Sequence, residues 1–152
     1  MTVPFIDLKA QYETIRSEIQ DAINSVLLDG NFILGPEVGK FEQEIAEYLG
    51  VAHGIGVASG TDALLLSLRA LGIGPGDEVI VPAFTFFATA EVVLLLGAKP
   101  VFVDVDPKTY CIDVTQLEEQ VNPRTRAIIP VHLFGQAADM GAILEISNKH
   151  GI

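Results

Sequence analysis

Tryptophan is absent from the 152 residues, and cysteine occurs once, at Cys111. One cysteine closes no internal disulfide and offers no thiolate cluster to a metal, which fits a reducing cytosol. Cys111 is expected as a small buried apolar side chain. Positive charge is scarce: nine Lys and Arg stand against 20 Asp and Glu, for a net charge of −11. Such a surface repels phosphates, so no nucleic-acid partner is expected. A membrane span is lacking as well. Val79 to Val105 is strongly apolar, but Pro82, Glu91, Gly97, Lys99 and Pro100 interrupt it. A bilayer-spanning helix needs about 20 apolar residues in a row, whereas a buried strand–helix–strand unit gives this composition without one. No signal peptide is read at the start, where Asp7 and Lys9 occupy the place of its apolar core. There is no nucleophile elbow, Walker loop, zinc-ligand spacing or GxGxxG run.

What the chain has is apolar material in ordered bursts. Hydrophobic residues make up 49% of it. That is ample for a packed core, and the length suits one domain. From Lys9 to Asp29 apolar residues recur at Tyr12, Ile15, Ile19, Ala22, Ile23, Val26 and Leu27. Spacings of three and four predict a helix with one apolar face, ended by Gly30. Asn31 to Pro36 is an apolar loop, and its Phe32, Ile33 and Leu34 suggest contact with a partner chain. Pro36 is placed to open a second helix, with Gly50 as its stop.

Beyond Gly54 short β-branched runs alternate with helical ones. Strands are expected at Gly54–Ala58, Val79–Pro82, Pro100–Val105 and Ala127–Leu133. Helices are expected at Thr61–Leu71, Thr85–Leu96, Val114–Val121 and Ala138–His150, the third capped by Asp113. This order predicts an α/β fold of three layers, a mostly parallel sheet with helices on both faces. Ligands of such folds bind along the edge where the strands end. Gly151 closes the last helix and Ile152 reads as the start of another strand, so a longer protein is expected.

Val57-Ala58-Ser59-Gly60-Thr61-Asp62-Ala63 is the stretch around which the rest is organised. It joins a strand to a helix through a glycine, two hydroxyls and a carboxylate. Free N–H groups at a helix N-terminus, with the positive end of the dipole, suit a phosphate. Ser59 or Thr61 as a plain helix cap accounts for the same residues. The next turn, Ala83 to Phe87, brings aromatic rings, of which Phe86 is the choice to stack on a flat cofactor. Asp104 and Asp106 form a carboxylate pair, although Asp106 before Pro107 reads more simply as a turn residue. His132 reads as hydrogen-bonded structure rather than an acid or base, and Gln136 as a ligand contact or a cap. The five lysines, Lys9, Lys40, Lys99, Lys108 and Lys149, read as solvated surface charges.

Taken in order, NFILGPEV, SGTDAL, GIGPGDEVIVPAFTFFATAE, GAKPVFVDVDPKTY and NPRTRAIIPVHLFGQAADM resemble the DegT/DnrJ/StrS family of sugar aminotransferases. The similarity runs over essentially the whole chain. Phe5-Ile6-Asp7-Leu8-Lys9 is most similar to the branch acting on UDP-linked keto-sugars. The resemblance implies part of the large domain of the aspartate-aminotransferase (type I) fold. Residues 1–36 would form an N-terminal helix with the dimer and active-site loop, and 37–152 an incomplete sheet domain. It implies a homodimer with pyridoxal 5′-phosphate as cofactor. An amino-acid donor, often glutamate, and a nucleotide-linked keto-sugar would be the substrates. Surface polysaccharides, lipopolysaccharide among them, or antibiotic sugars would be the products.

The same resemblance implies site residues. Gly60, Thr61 and Asp62 would hold the cofactor phosphate, and Phe86 would stack on its ring. Phe32, Ile33, Leu34 and Gly35 would lie near the substrate and the second subunit. The aspartate that pairs with the pyridine nitrogen and the Schiff-base lysine would both follow Ile152, so the chain alone is expected to be inactive. A sugar dehydratase of the same family, with histidine in place of that lysine, is an alternative. So is a non-catalytic domain that binds a phosphorylated ligand or only dimerises. An unrelated nucleotide-binding domain would need a carboxylate at the end of the second strand, which instead runs Val81-Pro82-Ala83-Phe84.

Overall fold

A computed structural model describes residues 6–152. Met1 to Phe5, and with them the first residue of the Phe5–Lys9 motif, lie outside the described residues. The chain divides into two compact units, residues 1–56 and 57–152. The first two helices both fall in the first unit.

The N-terminal unit holds two helices, α1 (Leu8–Asp29) and α2 (Pro36–Leu49). Asp7 caps α1, its carboxylate accepting the Ala10 N–H at 2.9 Å, and Gly30 closes it. Pro36 is the first residue of α2, where its missing N–H costs nothing, and Gly50 ends that helix. The expected apolar face of α1 exists but is bare. None of its residues is buried, and Ile23 and Leu27 are 54% and 59% exposed. Gly54–Ala58 is not a strand. Its backbone pairs with no other strand among the described residues. Gly54 and Gly56 lie against α2 instead. A Cβ on Gly54 would stand 2.5 Å from the Glu42 carbonyl oxygen, and the Gly56 N–H donates to the Glu42 carboxylate at 2.7 Å. An extended segment becomes a strand only when its ladder is filled.

The second unit is a parallel sheet between two helical layers. Its strands are β1 (Glu78–Pro82), β2 (Lys99–Val103) and β3 (Thr125–Ile128), in the order β2-β1-β3. Both pairings are parallel. Every residue of central β1 is buried. Alternation sends its side chains to two cores. Val79 and Val81 pack with Leu68, Val92, Val93, Ala127 and Ile129, under α3 (Gly60–Ala70) and α4 (Ala88–Leu95). Ile80 packs with Val103, Ile112, Leu117 and Ile143, under α5 (Val114–Leu117) and α6 (Met140–His150). Full burial of each such side chain contributes about 1.5–3 kcal/mol.

Element ends depart from the sequence expectation for local reasons. β3 stops at Ile128, although the Ile129 N–H still reaches the Ile80 carbonyl at 2.9 Å. Pro130 then has no N–H to continue the ladder. β2 stops at Val103 because Val105 bridges Ile112 in the antiparallel sense. The helix after it is a short α5 followed by a 3₁₀ turn, Glu118–Gln120, before Asn122-Pro123. α4 begins at Ala88 rather than Thr85, after a tight turn through Phe87, and α6 begins at Met140 behind its cap Asp139.

A buried carboxylate locks the edge where the strands begin. Glu78 opens β1 with its side chain 4% exposed. It accepts from Asn122 at 2.8 Å, from the Arg124 guanidinium at 2.9 and 3.0 Å, and from Lys99 at 3.3 Å. The Asn122 amide, then Arg124, holds its pKa down at about 2, against the usual 4.5. A lowered folded-state pKa gives stability that is complete above the unfolded value and is lost as pH falls toward the folded one. Glu78→Gln should therefore lower the melting temperature by several degrees at pH 7. The gap to wild type should close between about pH 4.5 and 2, the window of the lowered pKa. Thermal melts of both proteins across that range check this.

Candidate functional site

Parallel strands end at one edge, so the loops after β1, β2 and β3 gather there. The chain leaves β1 into α4 on one face and leaves β3 into α6 on the other. β1 and β3 are neighbours, so their two loops part and open a crevice at that edge. α3 reaches the same edge. Its C-terminal end leads into the Gly74–Asp77 turn, held by the Gly74 N–H on Asp77 at 2.9 Å. Pro75 of that turn packs on Gly97 at the end of α4, where a Cβ would stand 3.1 Å from the proline ring. α3 and α4 thus finish together beside the strand starts, and both begin where the strands end.

The start of α3 is built by Ser59. Its extended backbone ends the incoming segment, and its hydroxyl oxygen accepts the Asp62 N–H at 3.1 Å. The same hydroxyl donates to the Asp62 carboxylate at 3.0 Å, and the Ser59 carbonyl accepts the Ala63 N–H at 3.0 Å. Two donors are left over. The N–H groups of Gly60 and Thr61 have no partner among the described residues, and neither has the Thr61 hydroxyl. Nothing lies within 4 Å of where a Cβ on Gly60 would stand, so the space beside these donors is open. Asp62 is different. Its N–H is engaged and its carboxylate faces Ser59, so it shapes the cap rather than offering a donor.

Phe86 stands in the loop after β1, 77% exposed, with its carbonyl accepting the Thr89 N–H at 3.1 Å. Its neighbour Phe84 turns elsewhere. Phe84 meets Tyr110 at 5.8 Å between ring centroids, and Tyr110 meets Phe134 edge-on at 6.2 Å. One ring thus comes from the loop after each strand. The backbones of Tyr110 and Phe134 are left-handed, at φ 58° and 54°. Sequence reasoning missed this cluster. The available signal was an aromatic residue in each of three loops at one sheet edge.

The other chosen residues are structural. The His132 Nδ1 accepts the Ala138 N–H at 3.1 Å. Asp106 closes a turn by accepting the Thr109 and Lys108 N–H groups at 2.9 and 2.8 Å, and those bonds lower its pKa. Asp104 accepts the N–H of Val105 at 2.8 Å. Gln136 donates to the Ala137 carbonyl and leaves the capping of α6 to Asp139, while its own carbonyl takes the thiol of buried Cys111 at 3.3 Å. All five lysines are exposed, including Lys108 in the turn after β2. Among the described residues no cluster of His, Cys, Asp and Glu could hold a metal, and no helix is long and apolar enough to cross a membrane.

Comparison with known proteins follows the same lines. The sequence model of the DegT/DnrJ/EryC1/StrS aminotransferase family matches residues 13–152. UDP-N-acetyl-3-dehydro-alpha-D-glucosamine 3-aminotransferase of Acidithiobacillus ferrooxidans is 55% identical, over 99% of this chain and 41% of its own length. A crystal structure of a DegT DnrJ EryC1 StrS aminotransferase from Brucella abortus superposes with a TM-score of 0.93 at 50% identity, over 99% of this chain and 42% of that one. NtdA from Bacillus subtilis, solved with bound cofactor PMP, gives 0.93 at 40% identity, over 99% and 35%. The chain thus spans about two fifths of the length of the curated relatives it matches. The match includes the parallel sheet and its helices, so the fold is part of that of the PLP-dependent aminotransferases.

The cap at Ser59 makes one prediction independent of any ligand. Ser59→Ala should destabilise the protein by about 1 kcal/mol, the usual worth of an N-cap side chain. Urea unfolding measures the difference; an unchanged midpoint would show that Asp62 holds the turn without Ser59.

Proposed function

The chain belongs to the DegT/DnrJ/EryC1/StrS aminotransferase family, and from that premise we propose that its protein moves an amino group from an amino acid, glutamate by preference, to a keto group on a nucleotide-linked sugar. Pyridoxal 5′-phosphate is the cofactor. The observation that carries this reading is the start of α3, where two N–H groups and a hydroxyl without partners among the described residues face open space at the positive end of a helix. That arrangement fits a phosphate dianion. The relative's substrate, a UDP-linked 3-keto sugar by its name, supports the substrate class.

Bound pyridoxal phosphate supplies the electron sink for the carbon that gains or loses the amino group. The residues of this chain do the holding. Gly60 and Thr61 donate their N–H groups to the phosphate, and the Thr61 hydroxyl adds a third donor. Asp62 does not touch it; it fixes Ser59 and so the direction of those donors. Phe86, exposed at the same edge, covers one face of the pyridine ring. Proton transfer is assigned to no residue here, because His132 is committed to Ala138 and the lysines are solvated. The lysine and the pyridine-pairing aspartate belong to the rest of the enzyme, and residues 1–152 alone do not transaminate. The bare α1 face and Phe32 of the N-terminal unit border a groove of about 510 Å³, lined also by Ile23, Val26 and Leu27. With Ile33, Leu34 and Gly35, this is where a second copy packs in a homodimer. The setting is the cytoplasm, in the synthesis of surface-polysaccharide or natural-product sugars.

Cofactor titration tests the pocket. Thr61→Val should weaken pyridoxal phosphate binding by about 1–3 kcal/mol, the worth of a hydrogen bond to a charged group. Phe86→Ala should weaken it too, with the melting temperature unchanged. Unaltered affinity in Thr61→Val removes that residue from the site. A loss of stability alone in Phe86→Ala would make the ring a core residue.

A further inference from the structure

The turn that carries Phe86 is fastened from below at two points, both on one residue. Thr89 lies in the first turn of α4 and is 4% exposed. Its N–H donates to the Phe86 carbonyl at 3.1 Å, and its hydroxyl lies 3.2 Å from the hydroxyl of Thr85. The two bonds hold the residues on either side of the Thr85–Phe86 peptide. A further pair of bonds, from the Ala90 and Glu91 N–H groups to the Phe87 carbonyl at 3.1 and 3.0 Å, fixes the residue that follows. Phe86 itself has little packing to hold it, since its side chain is 77% exposed. Its placement comes from the backbone beneath it.

We infer that Thr85 and Thr89 are positioning residues for the ring of Phe86: their hydroxyl pair locks the turn so that the ring is set before any ligand arrives. The inference rests on the reading of Phe86 as the ring that covers the cofactor. Neither threonine touches the cofactor. A flat ligand gains from a ring that is already ordered, because the ordering cost is not charged to binding. The pair is also suited to replacement. Valine has the shape of threonine, so Thr89→Val removes the hydroxyl bond and leaves the packing of α4 in place. Thr85 is half-exposed and its hydroxyl then turns to water.

The test uses wild type, Thr89→Val, Thr89→Ser, Phe86→Ala and the Phe86→Ala/Thr89→Val double variant. Amide hydrogen exchange comes first, without cofactor. Thr89→Val should speed exchange at residues 86–91 while the melting temperature stays within a degree or two, and Thr89→Ser should restore protection. Pyridoxal phosphate affinity, read by induced circular dichroism, comes second. Thr89→Val should weaken it about two- to tenfold, the worth of one neutral hydrogen bond, and should add nothing once Phe86 is alanine. Unchanged exchange in Thr89→Val overturns the lock. Faster exchange with unchanged affinity, while Phe86→Ala binds weakly, overturns its role toward the cofactor. Normal binding by Phe86→Ala overturns the reading of Phe86 itself, and the inference falls with it.

Discussion

β1 has no exposed face, and the site depends on that burial. All five of its residues are buried, with Val79 and Val81 packed under α3 and α4 and Ile80 under α5 and α6. A strand covered on both faces cannot slip, because a shift of one residue would exchange the two cores. Register fixes where β1 ends, at Pro82, and therefore where the Phe86 turn leaves the sheet. Glu78 secures the opposite end by joining the starts of all three strands through Asn122, Arg124 and Lys99. The two ends of one strand thus divide the labour. The first carries a charged lock far from any ligand, and the second delivers the chain to the binding edge.

Function follows from the same alignment. Two helices packed on one face run from the strand ends toward the strand starts, so their N-termini share the ligand edge. One presents unpaired N–H groups, as anion recognition requires. The other is preceded by a ring on a fastened turn. Nothing in this arrangement is chemically reactive. On the proposed reading these residues hold and orient, and the reacting groups would be supplied from outside a chain that matches about two fifths of its relatives' length.

Much of this was legible in the sequence, and the exceptions have physical causes. Four helix ends were readable from the one residue that decides each: Gly30, Gly50, Asp113 and Gly151 each stand at a helix end. The three-layer fold was readable from the alternation of β-branched and helical runs. Gly54–Ala58 was misread because composition reports the preference for an extended backbone, while a strand also needs a neighbour. Thr85–Phe87 falls within both the expected helix Thr85–Leu96 and the expected turn Ala83–Phe87; a threonine hydroxyl pair and three backbone bonds, from Thr89, Ala90 and Glu91, hold it as a turn. At the site, the Ser59 turn was visible as a motif, but the division between donors and cap was not. Only the direction of the Asp62 side chain separates its role from those of Gly60 and Thr61. The Phe84–Tyr110–Phe134 contact joins residues that are remote in sequence, and no local pattern marks it.

The central claim is that the start of α3 binds the phosphate of the cofactor. Titrating the ¹⁵N-labelled protein with pyridoxamine 5′-phosphate while following its amide resonances tests this most directly. The Gly60 and Thr61 signals should move downfield together and saturate at one affinity, with Asp62 shifting less because its N–H stays on Ser59. Saturable shifts elsewhere with Gly60 and Thr61 still would contradict the account and move the phosphate to another part of the molecule.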